Sequence, residues 1–437
     1  MSSTMSKKTK DFLITPFGLV LLLSAISIFA AIIFGEDQSE TVTDSILINL
    51  SNWQQGFFGL LEFTLQMMII LVLGYSMAIY KPIFDGLKKL ASYPKTQLQA
   101  VLLTALITML SGLINWGFGL IVGAVLARFM TMAQQEKNKI TNPALLASAG
   151  YLGMAIWHGG LSASAPLKVA EKGHFLDLKI GVIPVSETIF SSFNIFITTG
   201  LIFLFLGTLW ILSKNEKNQT VQIHTKPIKP ISNANSFGLA SLVGLFMLVV
   251  GIFVLFKNDA GIGALNLNTI NFLLFGISLF AYKNLSRFTE AVTEGIKSSA
   301  DIFIQFPFYA GILGVLQASG LIEKISLYFL NNSTEAFVPL ITFFSAAFVN
   351  LLIPSGGGQW AIQGPILVEV GKSFNLPIGK LILVFAYGDQ ISNLLQPFWA
   401  LPLLAITGVP AKQLLKYCFW LFLVGFTFLA LAIFFFF

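Results

Sequence analysis

The residues able to do chemistry are gathered in a few interrupted stretches of an otherwise apolar chain. "NLLIPSGGGQWAIQGP" (350–365) sets Asn350, Ser355, Gln359 and Gln363 around Gly356, Gly357 and Gly358, between two prolines. "INWGFG" (114–119) offers Asn115, Trp116 and Gly117. "AYGDQISNLLQPFWALP" (386–402) carries Asp389 with Tyr387 and Asn393 beside it, and "IQFP" brings Gln305. Amide and hydroxyl donors next to helix-breaking glycines suit the capture of an anion. A half-helix that starts just after the glycines aims its free N–H groups and the positive end of its dipole at whatever lies in front. The chain has only two arginines, Arg128 and Arg287, both expected at helix ends. A carboxylate is therefore expected to be held by backbone N–H groups and by Asn115, Trp116, Gly117, Gln305, Asn350, Ser355, Gly356, Gly357, Gly358 and Gln363.

Asp389 is the most informative ionisable residue. An acid within an apolar span is costly when charged, and such acids tend to be functional. It is read as the ion-coupling group, with Tyr387 and Asn393 as neighbours, either carrying a proton or standing ionised beside a sodium ion held by Asn393 and nearby carbonyls. His158 in "WHGG" reads as a hydrogen-bonded packing residue. Glu62, Glu187 and Asp301 lie near expected helix ends and read as solvated. One cysteine, Cys418, and three dispersed histidines do not make a zinc or iron–sulfur site, so no metal and no cofactor is expected. Ser355 and His158 as nucleophile and base would make a membrane enzyme; the expectation is that the protein is not one.

The elements that must position these residues are membrane helices. Of 437 residues 55% are hydrophobic and 11% charged, with 43 Phe and a mean hydropathy of +0.80. Soluble domains carry about 25% charged residues. The excess of +6 charges is scattered singly through short loops, which reads as a topology signal and not as a nucleic-acid surface. Spanning helices are expected near 13–34, 57–80, 143–167, 184–212, 236–256, 268–283, 300–320, 381–408 and 414–436, the first one uncleaved. Segments near 98–128 and 336–370 are too interrupted to be plain spans. Read as re-entrant hairpins, they leave most of the 26 basic residues on the cytoplasmic side, as the positive-inside rule requires, with the N-terminus inside.

The two halves carry matching landmarks. Gln66 and Gln305, Asn115 and Asn350, Tyr151 and Tyr387, and Pro166 and Pro402 are separated by 239, 235, 236 and 236 positions. The expected architecture is an all-α polytopic membrane protein of inverted repeats with two re-entrant hairpins, about nine spanning helices in all. Residues 1–212 form the first repeat, 213–235 a cytoplasmic linker and 236–437 the second repeat. Inverted repeats with broken helices point to secondary transport.

"INWGFGL", "FSSFNIFIT" (190–198), "QFPFYAGI" (305–312), "IPSGGGQWAIQGP", "AYGDQ" and "QPFWALP" (396–402) resemble, in order and over essentially the whole chain, the bacterial short-chain fatty acid transporter family of acetoacetate and butyrate uptake proteins. The resemblance implies uptake of small monocarboxylate anions through the cytoplasmic (inner) membrane, driven by a proton or sodium gradient. Grouping with wider hairpin transporters implies elevator-like motion and, by analogy, a homodimer in the lipid bilayer, with no nucleic-acid partner. Another small anion such as a dicarboxylate is the alternative substrate. Two positions depart from the family pattern: Asp389 stands in place of Glu, and "WHGG" in place of "WGGG", which sets His158 outside the shared mechanism.

Overall fold

The computed structural model describes residues 16–437 apart from 37–40, 60, 140, 175, 215–228, 235, 258–266, 322, 325–326, 329–331, 333 and 353–355. Ser355 and most of the 213–235 linker therefore lie outside the described residues. The described chain is helical: α1 (Pro16–Phe34), α2 (Val42–Gly56), α3 (Leu61–Ile79), α4 (Lys81–Ser92), α5 (Gln97–Ile114), α6 (Trp116–Glu136), α7 (Pro143–Tyr151), α8 (Ser164–Val169), α9 (Ser192–Lys214), α10 (Leu239–Lys257), α11 (Leu267–Tyr282), α12 (Leu285–Ala318), α13 (Val338–Leu352), α14 (Gly356–Ser373), α15 (Ile378–Ser392), α16 (Pro397–Thr407) and α17 (Ala411–Phe436). Apolar side chains such as Phe246 and Phe253 on α10 point outward, as a lipid-facing surface requires.

The first interrupted segment is a tight helical hairpin. Asn115 is extended (φ −157°, ψ 125°), so α5 stops there, and its side-chain oxygen accepts the Phe118 N–H at 2.8 Å, so α6 starts there. One residue thus ends one helix and caps the next. At the opposite end the hairpin closes on itself: Gln134 Nε2 donates to the Pro94 carbonyl at 3.0 Å and Lys137 Nζ to the Ser92 carbonyl at 2.7 Å. With 18 and 21 residues, α5 and α6 rise about 27 and 31 Å, against a hydrocarbon core of about 30 Å. Each arm is apolar and, by length and composition alone, long enough to cross a membrane, and the segment is interrupted at Asn115 as the sequence reading expects. Because the chain returns to its own base, the sidedness of the later loops does not change.

Backbones touch where this hairpin meets α7. A Cβ built on Gly123 would lie 2.0 Å from the Gly150 carbonyl oxygen, and one on Gly112 would lie 2.8 Å from the Gly153 Cα. Such small-residue seams let apolar helices pack closely without a hydrophobic driving force between them. Asn142 caps α7 by accepting the Leu145 N–H at 3.0 Å and donates to the Tyr417 hydroxyl at 2.7 Å, tying α7 to α17. Asn142→Ala removes both contacts. Cap losses typically cost about 1 kcal/mol, so the expected result is a clear fall in the melting temperature of the detergent-solubilised protein; an unchanged value would mean that the cap carries no load.

Several expected boundaries shift. The span expected at 300–320 is the second half of α12, a helix of 34 residues and about 51 Å. Its charged first half is helical because Asn284 caps it through the Arg287 N–H and because Arg287–Glu290 and Lys297–Glu294 pair one turn apart. Arg287 and Lys297 therefore stand on a projecting helix and not in a loop. The span expected at 143–167 is α7, two short 3-10 turns (Leu152–Ala155 and Trp157–Gly159) and α8, and that at 184–212 becomes continuous only from Ser192. The span expected at 381–408 is likewise split by a 3-10 turn, Asn393–Leu395, between α15 and α16. Among the helices not foreseen are α2, and α4, which buries Phe84, Leu87 and Ala91 and turns Lys81, Lys88 and Lys89 outward.

Candidate functional site

The tips of both hairpins end on the same short piece of chain, residues 157–164, where the first broken helix is unwound. At the first tip the Trp116 N–H donates to Ser162 Oγ at 2.9 Å and the Leu161 N–H to the Leu113 carbonyl at 2.7 Å. At the second, α14 begins so close that a Cβ on Gly356 would stand 2.4 Å from Ser164 Oγ and 2.8 Å from His158 Nε2. Only glycine permits that approach.

The second broken helix meets the same place. Asp389 Oδ1 lies 2.7 Å from His158 Nε2, with the two side chains 1% and 0% exposed, and Gln390 Oε1 accepts the His158 N–H at 3.0 Å. Asn350 Nδ2 is within hydrogen-bond distance of the Asp389 carbonyl, Ser392 Oγ and Asn393 Oδ1 (2.8, 2.8 and 2.9 Å), and Gln396 Nε2 donates to the Asn350 carbonyl. These bonds satisfy backbone freed by the 3-10 turn, which is the condition for unwound chain at membrane depth. The two breaks also reach across to each other. The Tyr151 hydroxyl, from α7, donates toward the Asn393 and Gln396 carbonyls at 3.1 and 3.3 Å. The Tyr387 hydroxyl, from α15, donates to Asn194 Oδ1 at 2.9 Å, and Asn194 Nδ2 in turn donates to the Gly159 carbonyl at 3.0 Å.

Aromatic rings wall this junction. Trp116 lies 6.2 Å from Trp157 and 5.3 Å from Trp399, Phe306 lies 6.2 Å from Trp399, and the Trp157 ring stacks on His158 at 3.7 Å. Within the same walls are buried polar atoms without a partner among the described residues: Asn115 Nδ2, Trp116 Nε1, Trp157 Nε1 and Gln390 Nε2 as donors, and Ser164 Oγ, Asn350 Oδ1, Gln396 Oε1 and Asp389 Oδ2 as oxygens. An unpaired buried polar group costs about 1–3 kcal/mol. Four of the eight are N–H donors, set among apolar and aromatic side chains.

A profile of the family described as "Short chain fatty acid transporter" matches residues 1–437. The chain belongs to the short-chain fatty acid transporter family. Relatives named "Putative short-chain fatty acid transporter" occur in Escherichia coli (strain K12), 35% identical over 84% of this chain and 85% of the relative, and in Haemophilus influenzae, 36% identical over 86% and 88%. The crystal structure of the Alcanivorax borkumensis YdaH transporter, described as having an unusual topology, shares the fold with a TM-score of 0.52, 14% identity and coverage of 95% of this chain and 98% of that one. The protein is thus a multi-pass membrane protein of a transporter family, helical over most of its described residues.

In this member of the short-chain fatty acid transporter family the expected site residues divide into two groups. Asn115 and Trp116 stand at the first tip with unpaired donors, and Gly117 packs on α3, where a Cβ would meet the Leu71 Cα at 2.9 Å. Gln305 is buried on α12 with Oε1 unpartnered, and Gly356, Gly357 and Gly358 form the first turn of α14. Other residues are engaged in holding elements together. Asn350 braces the second break, Asn393 Oδ1 accepts from it, and Tyr387 faces Asn194. Gln363 accepts from Gln359 Nε2 at 2.7 Å, which also donates to the Ala346 carbonyl and so ties α14 to α13. Sequence reasoning missed Trp157, Ser162 and Asn194, and it set His158 aside; Gln390 stood out only as a position shared with the family. The available signal was "WHGGLSAS" itself: a polar cluster in the first break, at the place mirrored by Asn393–Gln396 in the second.

Proposed function

We propose that the protein is a secondary active transporter that takes up short-chain fatty acid anions, acetoacetate and butyrate among them, through the bacterial cytoplasmic membrane, with its N-terminus inside. The observation that carries this reading is the convergence of two helical tips, with unpaired N–H donors and tryptophan walls, on a junction that contains one buried carboxyl group. The donors suit one carboxylate and the rings suit a short alkyl chain; a dicarboxylate would ask for more cationic lining than this junction offers. Asp389 is the ion-coupling residue, with Asn393 and Tyr387 in support, and the coupled ion is a proton or sodium. Residues 1–212 and 236–437 act as inverted repeats joined by the 213–235 linker, each hairpin re-entering from its own side. The carrier works as a homodimer by analogy with hairpin transporters.

The test is accumulation of labelled acetoacetate and butyrate by proteoliposomes under an imposed proton gradient and, separately, a sodium gradient. Concentrative entry of at least one acid under one gradient is expected. Entry of succinate with exclusion of both monocarboxylates would sink the substrate assignment, and conduction without saturation would sink the carrier mechanism.

A further inference from the structure

We propose that His158 and Asp389 together form the proton-binding site of this carrier, with Asp389 Oδ2 as the atom that takes and releases the proton and His158 as the positioning residue that holds Oδ1. The inference rests on the transporter reading above and narrows its coupling ion to the proton.

Hydrogen-bond roles at the junction assign the atoms. The Ser164 backbone N–H can only donate, and it points at His158 Nδ1 at 3.4 Å, so Nδ1 is the acceptor and a neutral ring carries its hydrogen on Nε2. That Nε2–H then donates to Asp389 Oδ1 at 2.7 Å. The ring cannot turn away: Trp157 stacks on one face, and its backbone N–H is fixed by Gln390. Oδ2 is left buried and without a partner among the described residues, the carboxyl oxygen open to a proton. Loading is a simple addition: a proton from water bonds to Oδ2, the carboxylate becomes a carboxylic acid, and the Nε2–H···Oδ1 bond persists. Release is the reverse.

What favours the proton over a sodium ion is the donor already in place: the His158 Nε2–H on Oδ1 opposes a cation gripped by both carboxylate oxygens, and Asn393 Oδ1 is taken by Asn350 Nδ2. Asn350 Oδ1, Gln396 Oε1 and Ser164 Oγ are buried oxygens without a partner among the described residues, so the sodium arm of the transport assay decides between the two ions. Among the described residues no other ionisable group faces the pair. On the elements packed around it, α5 and α13 contain none. Tyr387 on α15 faces Asn194, and Lys380 at the start of that helix donates to the Phe437 carbonyl. Lys168 on α8 pairs with Glu171, Glu369 and Lys372 on α14 engage Lys179 near the surface, and Lys214 at the end of α9 lies over Trp210. On α17, Lys412 and Lys416 lie in the first turns, Tyr417 meets Asn142, and Cys418 is buried. The approach of Gly356 to His158 Nε2 places the proton site directly under the start of α14, so loading and hairpin seating involve the same atoms.

The experiment has one arm that needs no substrate. The chain has three histidines, so protein labelled with 15N-histidine and purified in detergent gives few ring signals, and His158→Gln assigns the one that matters. The His158 signal is expected to report the Nε2–H tautomer and to shift when Asp389→Asn is introduced; a signal indifferent to Asp389→Asn would overturn the pairing. In the transport arm, His158→Leu removes the donor and His158→Gln keeps an amide donor. The leucine variant is expected to cut proton-driven accumulation about tenfold and to change the pH profile of uptake, since the carboxylate has lost its donor; the glutamine variant is expected to recover part of both. A wild-type pH profile in folded His158→Leu protein, or accumulation driven by sodium alone, would overturn the proposal and leave the carrier reading intact. If neither acid enters the wild type under any gradient, the carrier reading fails, and the labelled-histidine arm still decides the pair.

Discussion

Asp389→Asn is expected to abolish concentrative uptake while leaving substrate exchange in place. The amide is nearly the same shape as the acid, and its oxygen can still accept from His158 Nε2, so the junction keeps its contact. What it loses is the capacity to change charge. Without a coupled ion, a gradient of one pH unit no longer lifts the internal concentration, a loss of about tenfold for each proton coupled, since about 1.4 kcal/mol corresponds to one factor of ten. Counterflow of labelled against unlabelled acid needs no net ion movement and should persist. The measurement is the pair of assays on the same proteoliposomes: accumulation at the wild-type level would remove Asp389 from coupling, and loss of both would make it part of substrate binding or of folding instead.

Gly123→Val is expected to cost most of the folded protein. The added Cβ would fall 2.0 Å from the Gly150 carbonyl oxygen and 2.8 Å from Thr108 Cγ2, with the backbones of two helices already in contact. Overpacking in a well-packed interior typically costs about 1–3 kcal/mol when side chains can shift; here the obstacle is main chain, so the cost lies at or above the upper end. Gly86→Ala is the control, because nothing lies within 4 Å of a Cβ there. Fluorescence-detected size exclusion of the two variants expressed side by side should show a collapsed peak for the first and a normal one for the second. Equal peaks would mean that α6 and α7 can separate at little cost.

The helical membrane class was legible because runs of apolar residues have no other use at this composition. The tip of the first hairpin was legible as well: Asn115 stands among glycines, and asparagine is a residue that ends a helix and caps the next. The course of α12 was not, because Arg287, Glu290, Glu294 and Lys297 look like a loop when counted and like a stabilised helix surface only when their one-turn spacing is realised. Asn350 was read as a ligand donor from its place beside the glycines, yet its amide braces the second break; side-chain direction decides such a case, and periodicity in an all-apolar stretch does not reveal it. The contact of His158 with Asp389 was beyond reach for a different reason. The two residues are 231 positions apart, and a single histidine in a broken helix says nothing about which acid it will meet.

The crossed tyrosines bear on how the protein is made. The Tyr151 hydroxyl and the His158 backbone N–H find their partners only in residues 390–396, and the Gly159 carbonyl is met by Asn194 on α9, which is in turn held by Tyr387. When the first half leaves the ribosome, that second half does not yet exist. Unwound backbone in lipid without partners is too costly to persist, so the nascent 143–169 segment must wait as a straighter helix or at the protein-lined exit of the insertion machinery. Its break is completed only when α15 arrives, and a chain that stops before Ile378 lacks that completion.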